Sequence, residues 1–265
     1  MNKLTLSQML GLPADWIVST EPQGSSAWLD ARRGCITGSM AKVAREKLKT
    51  GALSKAAITY ARDTARARVG AGDGEEVFQN AAMRFGTEQE PFARRAYEVR
   101  TGYMVEAAGF VCTPDRKFGV SVDGLVYDEP EQRGGVEIKT IVSSNVLFET
   151  VVGGDISAYI DQCDMNIWAW SLDWLDLCLW APDLPDESKR LTVIRILRNQ
   201  DRIDALMLDL ADFDKTVEAY AAELRAFMGT PRQAPAEEPQ ATPATTTPAQ
   251  LADAPVAKEL QDASF

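Results

Sequence analysis

Three residues suited to hard-cation chemistry sit near the middle of the chain. Asp123 lies in the apolar run Gly119-Val120-Ser121-Val122-Asp123-Gly124-Leu125-Val126-Tyr127, and Glu137 and Lys139 lie in Gly135-Val136-Glu137-Ile138-Lys139-Thr140. Successive side chains of a strand point to opposite faces, so Glu137 and Lys139 share a face. If Asp123 turns the same way, two carboxylates and an ammonium converge. Adjacent carboxylates repel, and a divalent cation removes the repulsion. Mg2+ takes one or two carboxylates and fills its shell with water and phosphate oxygens. The Ile138 carbonyl is a further oxygen within reach. A lysine beside such an ion orients or deprotonates a water, or neutralises charge on a phosphoryl group.

The elements that must position these groups follow from the same pattern. The two runs flank turn residues from Asp128-Glu129-Pro130 to Gly134-Gly135, which predicts a β-hairpin of strands 118–127 and 135–142. Upstream, 77–101 reads as a helix with Met83, Gly86, Glu90, Ala93 and Tyr97 on one stripe. A carboxylate on an apolar stripe needs a partner, so Glu90 is either a fourth member of the site or the mate of Arg94. A strand is expected over 103–112. Downstream, Asp155 is expected to cap a helix running to about Trp170. Its Tyr159, Gln162 and Asn166 share a face that turns either to the site or to solvent. Trp168, Trp170, Trp174 and Trp180 read as core. Strands at 175–181 and 191–198 and an amphipathic helix at 200–228 complete this half.

Toward the N-terminus, Thr5 or Ser7 could cap a short helix within 1–20. Ser25 or Ser26 could cap one that runs through Arg32 and ends at Gly34. A further helix is expected to open at Ile36-Thr37-Gly38-Ser39. Its free N–H groups, with Arg32 and Ser39, form either a phosphate site or a simple cap. Residues 53–69 read as a basic helix. The loop Gly70–Gly74 lacks the Gly-Lys-Ser/Thr of a phosphate-binding loop, which argues against a nucleotide site there.

Composition narrows the chemistry. The chain has 265 residues and no histidine, which excludes Ser-His-Asp and Cys-His mechanisms and histidine-ligated zinc. The four cysteines (Cys35, Cys112, Cys163, Cys178) form no Cys-x-x-Cys pair, which fits buried thiols in a reducing cytosol. No long apolar run or signal-peptide pattern is present, so a cytoplasmic protein without a membrane span is expected. The net charge is −11, yet residues 31–70 carry +8 and the remainder −19. Such local basicity suits phosphate contacts, although a solvated face explains most of the individual lysines. Residues 1–229 are expected to form one domain. Residues 230–265, rich in Pro, Ala and Thr, are expected to be a disordered tail, with Lys258 to Phe265 either a partner motif or simply tail.

The order Asp123, thirteen residues, Glu137-Ile138-Lys139 resembles the PD-(D/E)XK nuclease core, with Val122 where a proline is usual. More of the chain resembles the phage lambda-type alkaline exonucleases, the viral recombinase nucleases of that group. Four ordered blocks carry the likeness: Trp28 to Ser39, Gly86 to Ala93 with Glu90-Pro91, Ser121 to Lys139, and Tyr159 to Gln162. The resemblance implies an α+β or α/β fold, a mixed central sheet flanked by helices. It implies 5′→3′ digestion of one strand of linear duplex DNA, with release of mononucleotides. It implies two Mg2+ ions, with Mn2+ as a substitute. These would be held by Asp123, Glu137 and the Ile138 carbonyl, with Glu90 supporting the second. Lys139 would position or activate the water, and Gln162 matches an active-site glutamine. Arg32 and Ser39 match residues that hold the 5′-phosphate, and Trp28 would lie near the DNA. Asp164 stands where a second glutamine is common and receives no role. The resemblance further implies a ring-shaped homotrimer, a single-strand annealing partner and a phage or prophage origin in a bacterial host. Another endonuclease of the same core, or a non-catalytic DNA-end adaptor, are the competing readings.

Overall fold

The computed structural model describes residues 11–70, 81–129 and 132–229. The expectations for Thr5, Ser7, the Gly72–Gly74 stretch and the tail from 230 fall outside them. In order, the elements are β1 (Ile17–Ser19), α1 (Ser26–Arg32), β2 (Ile36–Thr37), α2 (Ala41–Arg45), α3 (Lys55–Arg68) and α4 (Ala81–Thr101). Then come β3 (Phe110–Cys112), β4 (Phe118–Ser121), β5 (Gly124–Glu129), β6 (Gln132–Thr140), α5 (Ser144–Val146), α6 (Ile160–Ala169), β7 (Trp174–Trp180), β8 (Leu191–Leu197) and α7 (Gln200–Gly229). The mixed, helix-flanked architecture expected from the sequence is present.

The strands form two four-stranded sheets rather than one, in the orders β1-β3-β4-β2 and β5-β6-β7-β8. The expected first hairpin strand is divided between them. It breaks after Ser121 and resumes at Gly124, so Asp123 stands in the kink where the chain passes from one sheet to the other. The hairpin itself is β5 with β6, antiparallel, with Gly124 opposite Val136. β6 and β7 are parallel and β7 and β8 antiparallel.

All seven residues of β7 are buried, as expected of a central strand covered on both faces. Ala93 and Tyr97 of α4 pack on one face, against Val136, Ile138, Trp174 and Cys178. The other face presents Leu175, Leu177 and Leu179 to a core shared with Cys163, Met165 and Ile167 of α6 and with α3 and α7. Trp170, Trp174 and Trp180 are buried, as expected of core residues, and Trp168 is partly buried against the same core.

Local deviations have identifiable causes. The stripe of α4 is buried only from Ala93 onward, Met83 being half exposed, because the helix leaves the sheet at its N-terminal end. Asp155 does not cap α6. Its Oδ1 accepts the Ser157 N–H in a local turn, and the helix starts at Ile160. Residues 144–152, between the expected hairpin and the expected helix, form a short helix with a π turn at Leu147–Val152. Ser25 does cap α1, accepting the Trp28 N–H, and Gly34 follows with φ +74°. Ile36-Thr37 is a strand rather than a helix start, followed by one 3-10 turn at Gly38–Met40, so no long helix points its N-terminus at Arg32.

Candidate active site

β6 runs on past the end of β5. The Asp123 N–H still reaches the Val136 carbonyl at 3.1 Å, but the next inward N–H, that of Ile138, has no strand opposite it. Asp123 Oδ2 takes it at 2.7 Å. The N–H and C=O of one strand residue point to the same side, so the Ile138 carbonyl faces the same opening. Glu137 and Lys139 point to the α6 face, beside Leu177 and Leu179 of the neighbouring strand. Glu137 is almost fully buried. Its Oε1 accepts from Gln162 Nε2 at 2.5 Å and from the Lys139 ammonium at 2.8 Å, and its Oε2 accepts from Asn166 Nδ2 at 2.8 Å. Gln162 and Asn166 are one turn apart on α6, so the shared face noted in the sequence turns to the site. Glu90 approaches from α4, on the opposite side of the sheet. It is half-buried and pairs with Arg94 at 3.3 Å, and Arg94 Nη2 also donates to the Asp123 carbonyl at 2.5 Å.

Charge crowds this corner. Burial, then the charges of Glu137 and Glu90, push the Asp123 carboxyl well above the usual aspartate range, against the Ile138 N–H and Lys139. Burial pulls the Lys139 ammonium down, but Glu137 and Asp123 more than reverse that, so it holds its proton more tightly than an ordinary lysine. Among the described residues, no cluster of three or more His, Cys, Asp or Glu side chains could hold a metal ion. The donors nevertheless fit Mg2+. Two carboxylates, one of them ionised at a cost, flank an inward-facing carbonyl, a set that leaves positions for water and phosphate oxygens.

The same cleft is lined by Trp28, Arg32, Ser39, Glu90, Ser121, Asp123, Glu137, Ile138, Lys139 and Gln162. All nine residues singled out for the site in the sequence are among them. Trp28 is buried rather than displayed. Its indole N–H donates to Ser121 Oγ at 3.1 Å, and its ring carries the Arg32 guanidinium 4.3 Å from its centre. Arg32 is half-buried, and among the described residues no carboxylate pairs with it. Other basic residues of the 31–70 stretch are taken up internally: Arg45 by Asp161 and Asp209, Arg68 by Asp214 and Glu218. Ser121 was not singled out in the sequence. It ends β4, two residues before the kink at Asp123, and strand alternation does not carry across that break. A second groove, lined by Phe92, Val99, Trp180 and Pro182, lies along α4 and gathers no carboxylates.

Comparisons with known proteins identify similar folds and a family. An alkaline exonuclease from Laribacter hongkongensis is 28% identical. The match covers 77% of this chain and 98% of that one, with a TM-score of 0.65. Its complex with dAMP matches over the same shares with a TM-score of 0.66. A phage-related exonuclease from Haemophilus somnus 129PT shares the fold at 16% identity and a TM-score of 0.56, over 74% of this chain and 96% of that one. No curated protein matches. A model of the YqaJ-like viral recombinase domain matches residues 27–170, a span that holds every cleft residue named above from Trp28 to Gln162. With that match and these relatives, the resemblance read from the sequence holds, and the chain belongs to the YqaJ-like viral recombinase family.

Proposed function

We propose that this protein is a Mg2+-dependent exonuclease. It degrades one strand of linear duplex DNA 5′→3′ from a 5′-phosphorylated end, releases mononucleotides and leaves a 3′ single strand for annealing-based recombination. The observation that carries the reading is one cleft holding two unlike sites. One is the half-buried Arg32 guanidinium, without a carboxylate partner among the described residues, with Ser39 and Ser121 on the same lining; the other is the Asp123–Glu137–Lys139 group. The exonuclease relatives, one of them solved with dAMP, favour the same chemistry.

Asp123, Glu137 and the Ile138 carbonyl would hold the metal, with Glu90 supporting a second ion once it leaves Arg94. Ions held there would supply Lewis acidity for attack of water on the phosphodiester. The chain's own residues do the rest. Arg32 binds the terminal 5′-phosphate with charge-assisted hydrogen bonds, helped by the two serine hydroxyls, which sets the register of one nucleotide per cycle. Trp28 keeps the guanidinium in place from behind. Lys139 orients the water and offsets charge on the scissile phosphate. Gln162 holds Glu137 from the cleft side. The resemblance extends the proposal to a homotrimeric ring, a single-strand annealing partner and action in the cytoplasm of a bacterial host. Among the described residues, no helix is long and apolar enough to cross a membrane.

The test is digestion of 5′-phosphorylated linear, 5′-hydroxyl linear and covalently closed duplexes in Mg2+, with Lys139→Ala beside wild type. Mononucleotides from the phosphorylated linear duplex alone, lost in the variant, are expected. Nicking of the closed circle would make the protein an endonuclease. End binding without cleavage would make it an adaptor.

A further inference from the structure

Glu137 is held at both oxygens, by donors of different kinds. Oε1 meets Gln162 and Lys139, and both line the cleft. Among the described residues, Oε2 meets only the Asn166 amide, and Asn166 is fully buried behind the cleft wall. One oxygen is therefore tied into the interior while the other is turned outward. A carboxylate free to rotate offers an ion either oxygen, or both; a tethered one offers Oε1.

The tether is also uncharged. An arginine or lysine at this position would neutralise the carboxylate and compete with a cation. An amide donates one hydrogen bond without adding a second cation to the Lys139 ammonium already beside the carboxylate. The position is costly for asparagine. Its neighbours on α6 are Cys163, Met165 and Ile167, all buried, and its Oδ1 is buried without a hydrogen-bond partner. An unpaired buried acceptor costs about 1–3 kcal/mol. A leucine would avoid that penalty and lose the tether. Gly38 packs directly on this amide, where a Cβ would lie 3.4 Å from Oδ1. The turn bearing Ser39 is therefore built against the same side chain.

We propose that Asn166 is a positioning residue. It fixes which oxygen of Glu137 a divalent cation meets, and so sets the cation affinity of the site without touching the cation. The proposal rests on the reading of Asp123 and Glu137 as cation ligands. It is tested by calorimetric titration of Mn2+ into the full chain without DNA, for wild type, Asn166→Ala, Asn166→Leu and the packing control Met165→Ala. Asn166→Leu keeps the branch at Cγ while removing both the donor and the unpaired acceptor, so it separates tethering from folding. Both Asn166 variants are expected to bind Mn2+ about 10–100-fold more weakly, with Met165→Ala close to wild type at a similar loss of melting temperature. In cleavage assays the midpoint for Mn2+ should shift by the same factor while the rate at saturating Mn2+ changes little. Equal Mn2+ affinity in wild type and Asn166→Leu would overturn the proposal, as would an equal loss in Met165→Ala. Failure of wild type itself to bind Mn2+ would instead remove the underlying reading of Asp123 and Glu137, and the proposal with it.

Discussion

Replacing Asp123 by asparagine should make the metal-free protein more stable and inactive at once. The side chain keeps its shape, and an amide oxygen can still accept the Ile138 N–H now held at 2.7 Å. What is lost is a negative charge in a half-buried corner already occupied by Glu137 and Glu90. Because burial and those two charges raise the folded-state pKa, the folded protein favours the protonated acid. The ionised carboxylate therefore subtracts stability above the unfolded value of about 3.9. The loss grows as pH rises toward the folded pKa and is constant beyond it; it is recovered as pH falls back through that pKa. Removing one such charge is worth about 0.5–2 kcal/mol, at roughly 2–4 °C of melting temperature per kcal/mol for a chain of this size. Mg2+ should reverse the order. At about 100 times its Kd it stabilises wild type by roughly 2.7 kcal/mol, and the variant, short of a ligand, gains far less. Thermal melts of both proteins in EDTA and in Mg2+, at pH 6 and pH 8 (about one unit either side of neutrality), give the four comparisons. The reasoning fails if the variant melts below wild type in EDTA at pH 8, or if Mg2+ raises both equally.

Other substitutions probe the remaining parts. Lys139→Ala should reduce cleavage by about 10²–10³ or more while duplex ends are still bound, as gel shift in Ca2+ would show. Arg32→Ala should erase a 5′-phosphate preference of roughly 10–100-fold, the worth of one charged hydrogen bond at about 1.5–3 kcal/mol. Arg62→Ala, whose guanidinium sits over Tyr220 instead, should leave the preference intact in the same competition assay. Arg202→Ala strips the fully buried Asp164 of its charge partner. It should cost about 3 kcal/mol in urea melts, with the 5′-phosphate preference unchanged in whatever folded protein remains.

The placement of the cleft side chains was legible in the sequence wherever periodicity alone fixes it. A period of two put Glu137 and Lys139 together, and helical spacing put Gln162 and Asn166 on one face. What could not be read was the division of one apolar run between two sheets, because Gly119 to Tyr127 reads as a single strand-like segment through the kink at Asp123. The helical turn at 144–152 was also hidden, since a short apolar stretch such as Val-Leu-Phe or Thr-Val-Val carries no distinguishing period. Asp155 misled because an aspartate before a small-residue segment serves a local turn as readily as a helix. The exposed N-terminal part of the α4 stripe, from Met83 on, has a different cause. A stripe shows which side of a helix is apolar, but not how far along the helix the sheet extends beneath it. For Arg32 and Ser39 the residues alone left a phosphate site and a simple cap open, and Asn166's contact with a specific oxygen needed coordinates.

Arg68 bears on how this domain comes apart. Its guanidinium donates to the carbonyls of Gly34 and Lys117 while pairing with Asp214 and Glu218 on α7, and Lys117 pairs with the same Asp214. The last helix is thereby fastened to the turn that follows Arg32 and to the strand on which Ile36 pairs. Lifting α7 would take Asp214 and Glu218 away from Arg68 and Lys117, leaving the guanidinium that holds both carbonyls without its carboxylates, so the turn and the helix are coupled in local unfolding. Amide exchange at Gly34–Thr37 would then report on a helix more than 160 residues away in the chain, and fraying at the C-terminal end of the domain would be felt as looseness in the wall that carries Arg32.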